Sequence, residues 1–305
     1  LSAVRATLAA ALEDAGIDYS TSAYPPPIVI PPTVVIVPGA PWLQPEVIGS
    51  PAAPRVLVTF RLTCCVAHLD NQAALNLCPS SVTLADLEQH DVERLKVWTR
   101  GVDTGQFSPE WRSQETREEL TGGEPDKPLL LYVGRIAAEK RADWLVDIMR
   151  RRDDVRLAIV GGGPSEEKLR QQLRDTPTVF TGYLRGADLA RAYASSDLFA
   201  FPSANETFGN VVLEAASSGL PIVTADAGGV VDIVRHEDNG LLFPSEDRSA
   251  FADAVDRVLD DPSLARTLGR NGRTFALSRS WKAVLDGLVD DYAGIVGAHA
   301  GKTTA

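Results

Sequence analysis

The chain has 305 residues, of which 44% are hydrophobic and 23% are charged, as is typical of globular proteins. Its formal net charge of −11 argues against non-specific binding to nucleic acid, because such binding needs a basic surface. No apolar run approaches the roughly 20 residues of a membrane-spanning helix, so we expect neither a span nor a signal peptide. The three cysteines have neither metal-ligand spacing nor an even number, which favours a reducing, cytoplasmic location.

The first third of the chain carries weak secondary-structure signals. Residues 4–15 have apolar side chains on one helical face and predict a helix. The proline-rich stretch 24–38 follows, and we expect it to form a loop or at best an edge strand. Residues 55–60 fit a strand or a helix end, and the segments 66–69 and 75–80 fit strands.

Strands and helices alternate strictly from residue 127 onward, and this alternation predicts a parallel, doubly wound α/β sheet. The predicted strands are 129–133, 155–160, 178–181, 198–201, 222–224 and 241–243. The predicted helices are 141–151, 166–173, 187–194, 210–218, 248–259, 263–275 and 281–296.

The loop after the first of these strands is cationic. Gly134 opens it and allows the backbone to come close to a ligand. Arg135 can bind a phosphate through two parallel donors, and Lys140 adds a compact positive charge. Ligands of open α/β sheets bind at the carboxyl ends of the strands, which is where this loop begins. Taken singly, Arg135 and Lys140 fit surface charges better than ligand-binding residues, and it is the pairing with a second loop that favours a binding site.

A second loop, after the strand 198–201, carries carboxylates and a helix start. Glu206 lies in the loop, Gly209 opens the helix and Glu214 lies about one turn inside it. Free amides at a helix N-terminus attract anions such as phosphate, so loop and helix together could bind a sugar nucleotide. In the alternative interpretation, Glu206 is a helix cap and Glu214 a solvated helix residue.

These two segments resemble the signature of retaining glycosyltransferases of family 4. The resemblance rests on Gly134-Arg135 followed by Glu139-Lys140, and on two glutamates eight residues apart in Glu206–Glu214. It extends over residues 95–292 and includes the turn 160–164 and the segment 180–184. It implies the GT-B fold, with two Rossmann-like doubly wound parallel-sheet domains, and a nucleotide-diphosphate sugar as donor. A UDP-sugar is favoured as donor, with GDP-mannose as the alternative, and the acceptor is a lipid or a saccharide.

The resemblance also implies roles for individual residues. Arg135 and Lys140, with the amides of Gly209 and Asn210, would stabilise the charge that develops on the β-phosphate. Glu206 would hold the hydroxyls of the donor sugar, and Glu214 would accept hydrogen bonds from the ribose. The implied catalytic residues are Glu206, Arg135 and Lys140, and the implied donor-binding set is Gly134, Arg135, Lys140, Tyr183, Leu184, Glu206, Phe208, Gly209, Asn210, Val211 and Glu214. No Asp-x-Asp motif occurs, so no metal or other cofactor is expected.

The resemblance divides the chain into an acceptor-side domain at 1–107, a donor-binding domain at 108–277 and a returning C-terminal helix with a frayed tail at 278–305. Residues 75–80 resemble the last strand of the acceptor domain. That domain is expected to be incomplete, because the family's opening strand with its glycine loop and its histidine segment between residues 69 and 75 are missing. A binding protein that takes a nucleotide sugar but transfers it poorly or not at all is therefore the alternative function. At most weak peripheral contact with membranes is expected, since residues 1–107 hold six Lys and Arg against ten Asp and Glu.

Two other nucleotide-binding enzymes fit the sequence less well. A nicotinamide dehydrogenase needs Gly-x-Gly-x-x-Gly after a first strand, and Gly161-Gly162-Gly163-Pro164 lacks the last glycine. A sugar-nucleotide epimerase needs a tyrosine with a lysine four residues further on, and none of the six tyrosines has one.

Overall fold

The computed structural model describes residues 28–30, 34–36, 56–58 and 74–303. The chain divides into two compact units, one of Leu1–Gly101 with Trp281–Ala305 and the other of Val102–Ser280. Two predicted elements lie outside the described residues, the helix at 4–15 and the strand at 66–69. Most of the stretch between residues 69 and 75, where the family's histidine segment is missing from the sequence, also lies outside them. The domain bounds predicted at residues 107 and 277 stay predictions.

The first unit contains a sheet of β1 (Ile28–Ile30), β2 (Val34–Ile36), β3 (Val56–Val58), β4 (Leu75–Cys78) and β5 (Leu95–Val97), in that order. β1 and β2 are antiparallel, and the remaining neighbours are parallel.

Two predictions for this unit are wrong. The proline-rich stretch contains a strand that is not at the edge of the sheet, because β2 pairs with β1 on one side and with β3 on the other. The reason is that its prolines fall between the apolar triplets and not within them, so no ladder donor is lost. The strand near residue 75 is also not the last of the sheet, since β5 lies beyond it.

Two helices complete the described part of this unit. Helix α1 (Ser81–Gln89) begins at Ser80, whose hydroxyl accepts a hydrogen bond from the amide of Thr83 at 3.2 Å. The C-terminal helix is longer than predicted and runs over Trp281–Thr303; it is α9 in the numbering below. Its Leu285, Leu288 and Tyr292 are buried. None of the helices in the described residues combines the length and the apolar character that a membrane crossing needs.

The second unit contains six strands that match the predicted ones to within one residue at each end. They are β6 (Leu129–Val133), β7 (Arg156–Val160), β8 (Thr178–Gly182), β9 (Leu198–Phe201), β10 (Ile222–Ala225) and β11 (Leu241–Phe243). All neighbours are parallel, in the order β8-β7-β6-β9-β10-β11. Every residue of β6, β7, β9 and β10 is buried, as expected of a parallel sheet covered by helices on both faces. The doubly wound α/β fold is confirmed.

The helices of this unit are α2 (Gln114–Leu120), α3 (Leu145–Arg151), α4 (Glu166–Leu173), α5 (Gly186–Ala194), α6 (Asn210–Ser217), α7 (Arg248–Asp260) and α8 (Pro262–Leu277). The start predicted for α3, at residue 141, is wrong. Arg141 has a left-handed backbone, with φ of 55°, and separates two short 3₁₀ turns. Its guanidinium binds the Ser245 carbonyl and Glu246 and lies 5.0 Å from the Trp144 ring centroid, which holds this bend in place.

The strand order places a topological switch point between β6 and β9. From β6 the chain moves outward through β7 to β8, then returns to β9 and moves outward on the other side. Crossovers on either side of this point leave a crevice at the carboxyl ends of the two central strands. The cationic loop after β6 and the carboxylate loop after β9 both start there.

Candidate active site

The loops after β6 and β9 meet through a lysine and a glutamate. The Lys140 ammonium lies 2.5 Å from Oε1 of Glu206 and donates to the Asn205 carbonyl at 2.8 Å. The two side chains are only 16% and 19% exposed. The backbone beside Glu206 is fixed in turn, because the Gly229 amide donates to the Glu206 carbonyl at 2.7 Å. The structure thus brings together a cation and an anion that are 66 residues apart in the sequence.

Arg135 lies in the same loop as Lys140 but takes a different partner. Its guanidinium pairs with the Glu139 carboxylate, and its side chain is 60% exposed. The Tyr132 hydroxyl anchors the loop by donating to the Arg135 carbonyl at 2.9 Å. Burial raises the pKa of Tyr132 well above its ordinary value, and the negative charge of Glu206 raises it further, so this hydroxyl stays a donor.

Gly134 lies at a close approach between the loops after β6 and β7. Its amide donates to the Val160 carbonyl at 3.0 Å, and a Cβ atom placed on Gly161 would lie 2.0 Å from the Gly134 carbonyl oxygen. Gly161 has φ of 126°, a conformation that side chains disfavour. Glycine at position 161 therefore allows the loops after β6 and β7 to pack backbone against backbone beside the switch point.

Helix α6 begins beside Glu206 without a side-chain cap. Gly209 occupies the cap position with φ of 94°, and a Cβ there would lie 2.7 Å from Cγ1 of Val230. The Glu206 carboxylate does not cap this helix, so the interpretation as a simple helix cap is wrong. Asn210 is exposed at the first helical position. The first amides of α6 therefore lie at an N-terminus that can receive an anion.

The predicted site residues Phe208 and Val211 contribute to the packing of the hydrophobic core. Phe208 is buried in the hydrophobic core and Val211 packs partly buried against it. This packing holds the start of α6 in place, and their part in donor binding stays a prediction.

Glu214 lies inside α6 and is held by a tyrosine. The Tyr193 hydroxyl, on α5, donates to Oε2 of Glu214 at 3.0 Å. Glu214 is half-buried, and burial raises its pKa to about 7, while the Tyr193 hydrogen bond acts in the opposite direction. The alternative of a solvated helix residue is therefore wrong.

Tyr183 and Leu184 follow β8, at one edge of the sheet. Tyr183 is 70% exposed, and its hydroxyl donates to the Gly162 carbonyl at 3.1 Å. Leu184 is partly buried against the core. Neither is hydrogen-bonded to Lys140 or Glu206, so their place in the donor site stays a prediction.

Sequence reasoning missed Tyr193, although a signal was present. Ala190, Tyr193 and Ala194 lie on one buried face of α5. A tyrosine on such a face must find a partner for its hydroxyl, because an unpaired buried hydroxyl is costly. Among the described residues, no three or more His, Cys, Asp or Glu side chains are grouped as potential metal ligands.

Comparison with known proteins identifies the family. Residues 127–261 match the family model described as glycosyl transferases group 1. This match spans the loop with Arg135 and Lys140 and the segment from Glu206 to Glu214. The chain belongs to this family.

Two curated relatives cover most of this chain. A sulfoquinovosyl transferase of Arabidopsis thaliana is 39% identical over 72% of the chain and 44% of its own length. A GDP-mannose-dependent alpha-mannosyltransferase of Mycolicibacterium smegmatis is 38% identical over 76% of the chain and 60% of its own length. The chain thus spans about half the length of these relatives.

Two solved structures share the fold. The Anabaena protein HepE in complex with UDP superposes with a TM-score of 0.71 at 22% identity, over 79% of this chain and 72% of its own. Sucrose-phosphate synthase from Thermosynechococcus elongatus gives a TM-score of 0.69 at 25% identity, over 81% and 69%.

Proposed function

We propose that this chain is a retaining glycosyltransferase that moves a sugar from a nucleotide-diphosphate donor to a lipid or saccharide acceptor. The observation that carries the proposal is the contact between Lys140 and Glu206, which joins the loops at the carboxyl ends of the two central strands. Next to this contact lies the uncapped N-terminus of α6. A cation, an anion and helix amides at one switch point suit a ligand that has both phosphates and hydroxyls.

The diphosphate is assigned to the positive groups. When the bond from sugar to β-phosphate oxygen breaks, negative charge builds on that oxygen. Lys140, Arg135 and the amides of Gly209 and Asn210 would stabilise this charge without having to reorganise during the reaction. Arg135 is exposed, and within the described part of the chain its ion-pair partner is the surface carboxylate of Glu139, so replacement of Glu139 by a phosphate should cost little free energy.

The sugar is assigned to Glu206. Its carboxylate would accept hydrogen bonds from the sugar hydroxyls and face the positive charge that develops on the ring. A diphosphate and a carboxylate repel each other at short range, and Lys140 lies in contact with Glu206. The positive charge of Lys140 would therefore offset the repulsion between the Glu206 carboxylate and the diphosphate.

The ribose is assigned to Glu214 and the nucleobase to the segment of Tyr183 and Leu184. The names of similar proteins support two donors, because HepE was solved with UDP and the mycolicibacterial relative is named as GDP-mannose-dependent. We propose a UDP-sugar as donor, with GDP-mannose as the alternative, in a metal-independent reaction at a cytoplasmic location with at most weak peripheral membrane contact.

The experiment combines binding and turnover on the same preparation. UDP and GDP are tested by thermal shift, and UDP-sugars and GDP-mannose are tested for hydrolysis and for transfer with and without EDTA. We expect one diphosphate to raise the melting temperature, turnover to be insensitive to EDTA, and product NMR to show that the anomeric configuration is kept.

The outcomes separate the proposal from its alternatives. Binding of a diphosphate without hydrolysis or transfer would identify a nucleotide-sugar-binding protein of low activity. Inversion at the anomeric carbon would contradict the retaining mechanism. A chain whose melting temperature responds to neither diphosphate at millimolar concentration would contradict the assignment of the site.

A further inference from the structure

We propose that Tyr193 is a positioning residue of the donor site, because its hydroxyl fixes the direction in which the Glu214 carboxylate faces the nucleoside. The inference rests on the proposed function, in which Glu214 holds the ribose. It assigns a task to a residue that lies on a different helix, outside both loops of the switch point.

The ring of Tyr193 is held rigidly. It is fully buried, packs edge-on against Phe107 with ring centroids 5.7 Å apart, and lies 5.8 Å from the Phe199 ring. Aromatic packing on two sides leaves the ring one orientation. The hydroxyl is therefore a fixed donor 3.0 Å from Oε2 of Glu214.

The hydrogen bond from Tyr193 makes the two oxygens of the Glu214 carboxylate inequivalent. Oε2 accepts from Tyr193, whereas Oε1 accepts no hydrogen bond from the residues that the structure describes. A carboxylate held by one oxygen cannot rotate freely about its terminal bond. The other oxygen is then directed in advance toward a ligand hydroxyl, which lowers the ordering cost of binding.

The same bond affects the ionisation of Glu214. In the described part of the chain, burial and the Tyr193 hydroxyl are the two influences on this carboxyl, and no charged side chain contributes. Burial favours the neutral acid, and the hydroxyl favours the anion. Tyr193 itself stays protonated, because burial and then the charge of Glu214 raise its pKa well above the ordinary value. Glu214 is therefore the member of the pair that titrates.

Removal of the hydroxyl should weaken binding of the nucleoside and leave binding of the phosphates intact. Without its donor the carboxylate gains rotational freedom and ionises at a higher pH. Both changes reduce the ability of Glu214 to accept from ribose hydroxyls. Neither reaches Arg135 or Lys140, which lie on the loop after β6.

The test measures the affinity of Tyr193→Phe for UDP, GDP and inorganic pyrophosphate by calorimetry between about pH 6 and pH 8.5. At pH 7 we expect the nucleoside diphosphate to bind roughly three- to tenfold more weakly, the loss expected for one hydrogen bond. Pyrophosphate should bind as it does to the wild type. We expect wild-type affinity to rise with pH as Glu214 ionises, since its pKa is raised to about 7, and we expect this rise to move to higher pH in the variant.

Two control variants make the result specific. Glu214→Gln has no carboxyl to titrate, so its pH profile gives the contribution of the ligand phosphates alone. Tyr292→Phe removes a buried tyrosine hydroxyl that has no partner in the described residues, and it should change neither affinity nor pH profile.

The inference is overturned if Tyr193→Phe keeps the wild-type affinity and pH profile. It is also overturned if the variant loses pyrophosphate and UDP affinity equally, since that result indicates general damage. Wild-type protein that binds neither UDP nor GDP would instead contradict the proposed function itself, which keeps the two failures apart.

Discussion

The central strands β6 and β9 carry an ion pair at each end, and the two pairs differ in their surroundings. At the amino ends, Arg117 donates to Asp197 and to the carbonyls of Pro125, Lys127 and Ser195. Asp197 also accepts from the Leu129 amide, the first residue of β6. At the carboxyl ends, Lys140 contacts Glu206 and one carbonyl, and the neighbouring Arg135 is exposed.

The two ends of the same pair of strands differ in role: the ion pair at the amino ends stabilises the fold, and the ion pair at the carboxyl ends lies where we propose that the ligand binds. The Arg117 pair is bonded to protein groups at many points, and these bonds fix the starts of β6 and β9. The Lys140 pair is bonded at fewer points and lies beside an uncapped helix. Loops at the carboxyl ends of parallel strands typically bind ligands. The smaller number of protein partners at this end is consistent with polar groups that can bind a ligand.

The largest expected effect comes from breaking the ion pair between Arg117 and Asp197. Arg117→Ala removes the donor of three carbonyls, whereas Asp197 keeps the Leu129 amide and the nearby Arg112. Because an unsatisfied buried acceptor costs about 1–3 kcal/mol, we expect the free energy of unfolding to fall by about 3 kcal/mol or more. Urea denaturation should show this loss, while affinity for UDP or GDP is kept at temperatures where the variant is folded. As a control, Arg174→Ala removes an exposed pair with Asp175 and should change stability by less than about 0.5 kcal/mol. An Arg117→Ala variant as stable as the wild type would contradict the proposed difference between the amino and the carboxyl ends of β6 and β9.

The next effect tests whether the proposed ligand-binding end lowers the stability of the fold. The pKa of Glu214 is raised from 4.5 to about 7, so the folded state resists its ionisation. This group's contribution to stability is full below about pH 4.5 and is lost as the pH rises to about 7. Glu214→Gln cannot ionise, so its stability relative to the wild type should increase over that range by roughly 1–3 kcal/mol. Denaturation curves of both proteins at pH 5 and pH 8 check this, and a constant difference would contradict it.

An effect of similar size, on ligand affinity and not on stability, concerns the two cations of the β6 loop. Lys140→Ala and Arg135→Ala should each weaken binding of the nucleoside diphosphate by roughly 1.5–3 kcal/mol, the range for hydrogen bonds to charged groups. Lys140→Ala should be the more severe, because it leaves the Glu206 charge unpaired near the phosphates. Calorimetry measures the affinity, and denaturation should show a loss of stability below about 1 kcal/mol for Arg135→Ala. If both variants bind as tightly as the wild type, these cations do not bind the diphosphate.

Sequence reasoning predicted the second unit well because its strands are continuous apolar runs. β6, β9 and β11 have the predicted bounds, and every residue of β6 and β9 is buried. The start of α3 could not be predicted, since the left-handed turn at Arg141 is held by Ser245 and Glu246, more than 100 residues away. Helix α2 was missed because it has only seven residues and a weak apolar face.

For the candidate site, the meeting of its two loops could be predicted from the sequence, whereas the side-chain contacts could not. The order of β6 and β9 in a doubly wound sheet brings their loops together, so a meeting of Lys140 and Glu206 follows from topology. The hydrogen bond from Tyr193 to Glu214 joins two helices whose relative rotation depends on packing. No local pattern specifies that rotation, so this contact required the structure.

The central claim is that the carboxyl ends of β6 and β9 bind a nucleotide sugar, with Glu206 on the sugar and Glu214 on the ribose. The most direct test titrates Glu206→Ala and Glu214→Ala with UDP and UDP-glucose, and with GDP and GDP-mannose, by calorimetry. We predict that Glu214→Ala weakens the diphosphate and its sugar derivative alike, whereas Glu206→Ala weakens only the sugar derivative and abolishes turnover. Equal losses of bare diphosphate affinity in both variants, or no loss in either, would contradict the claim.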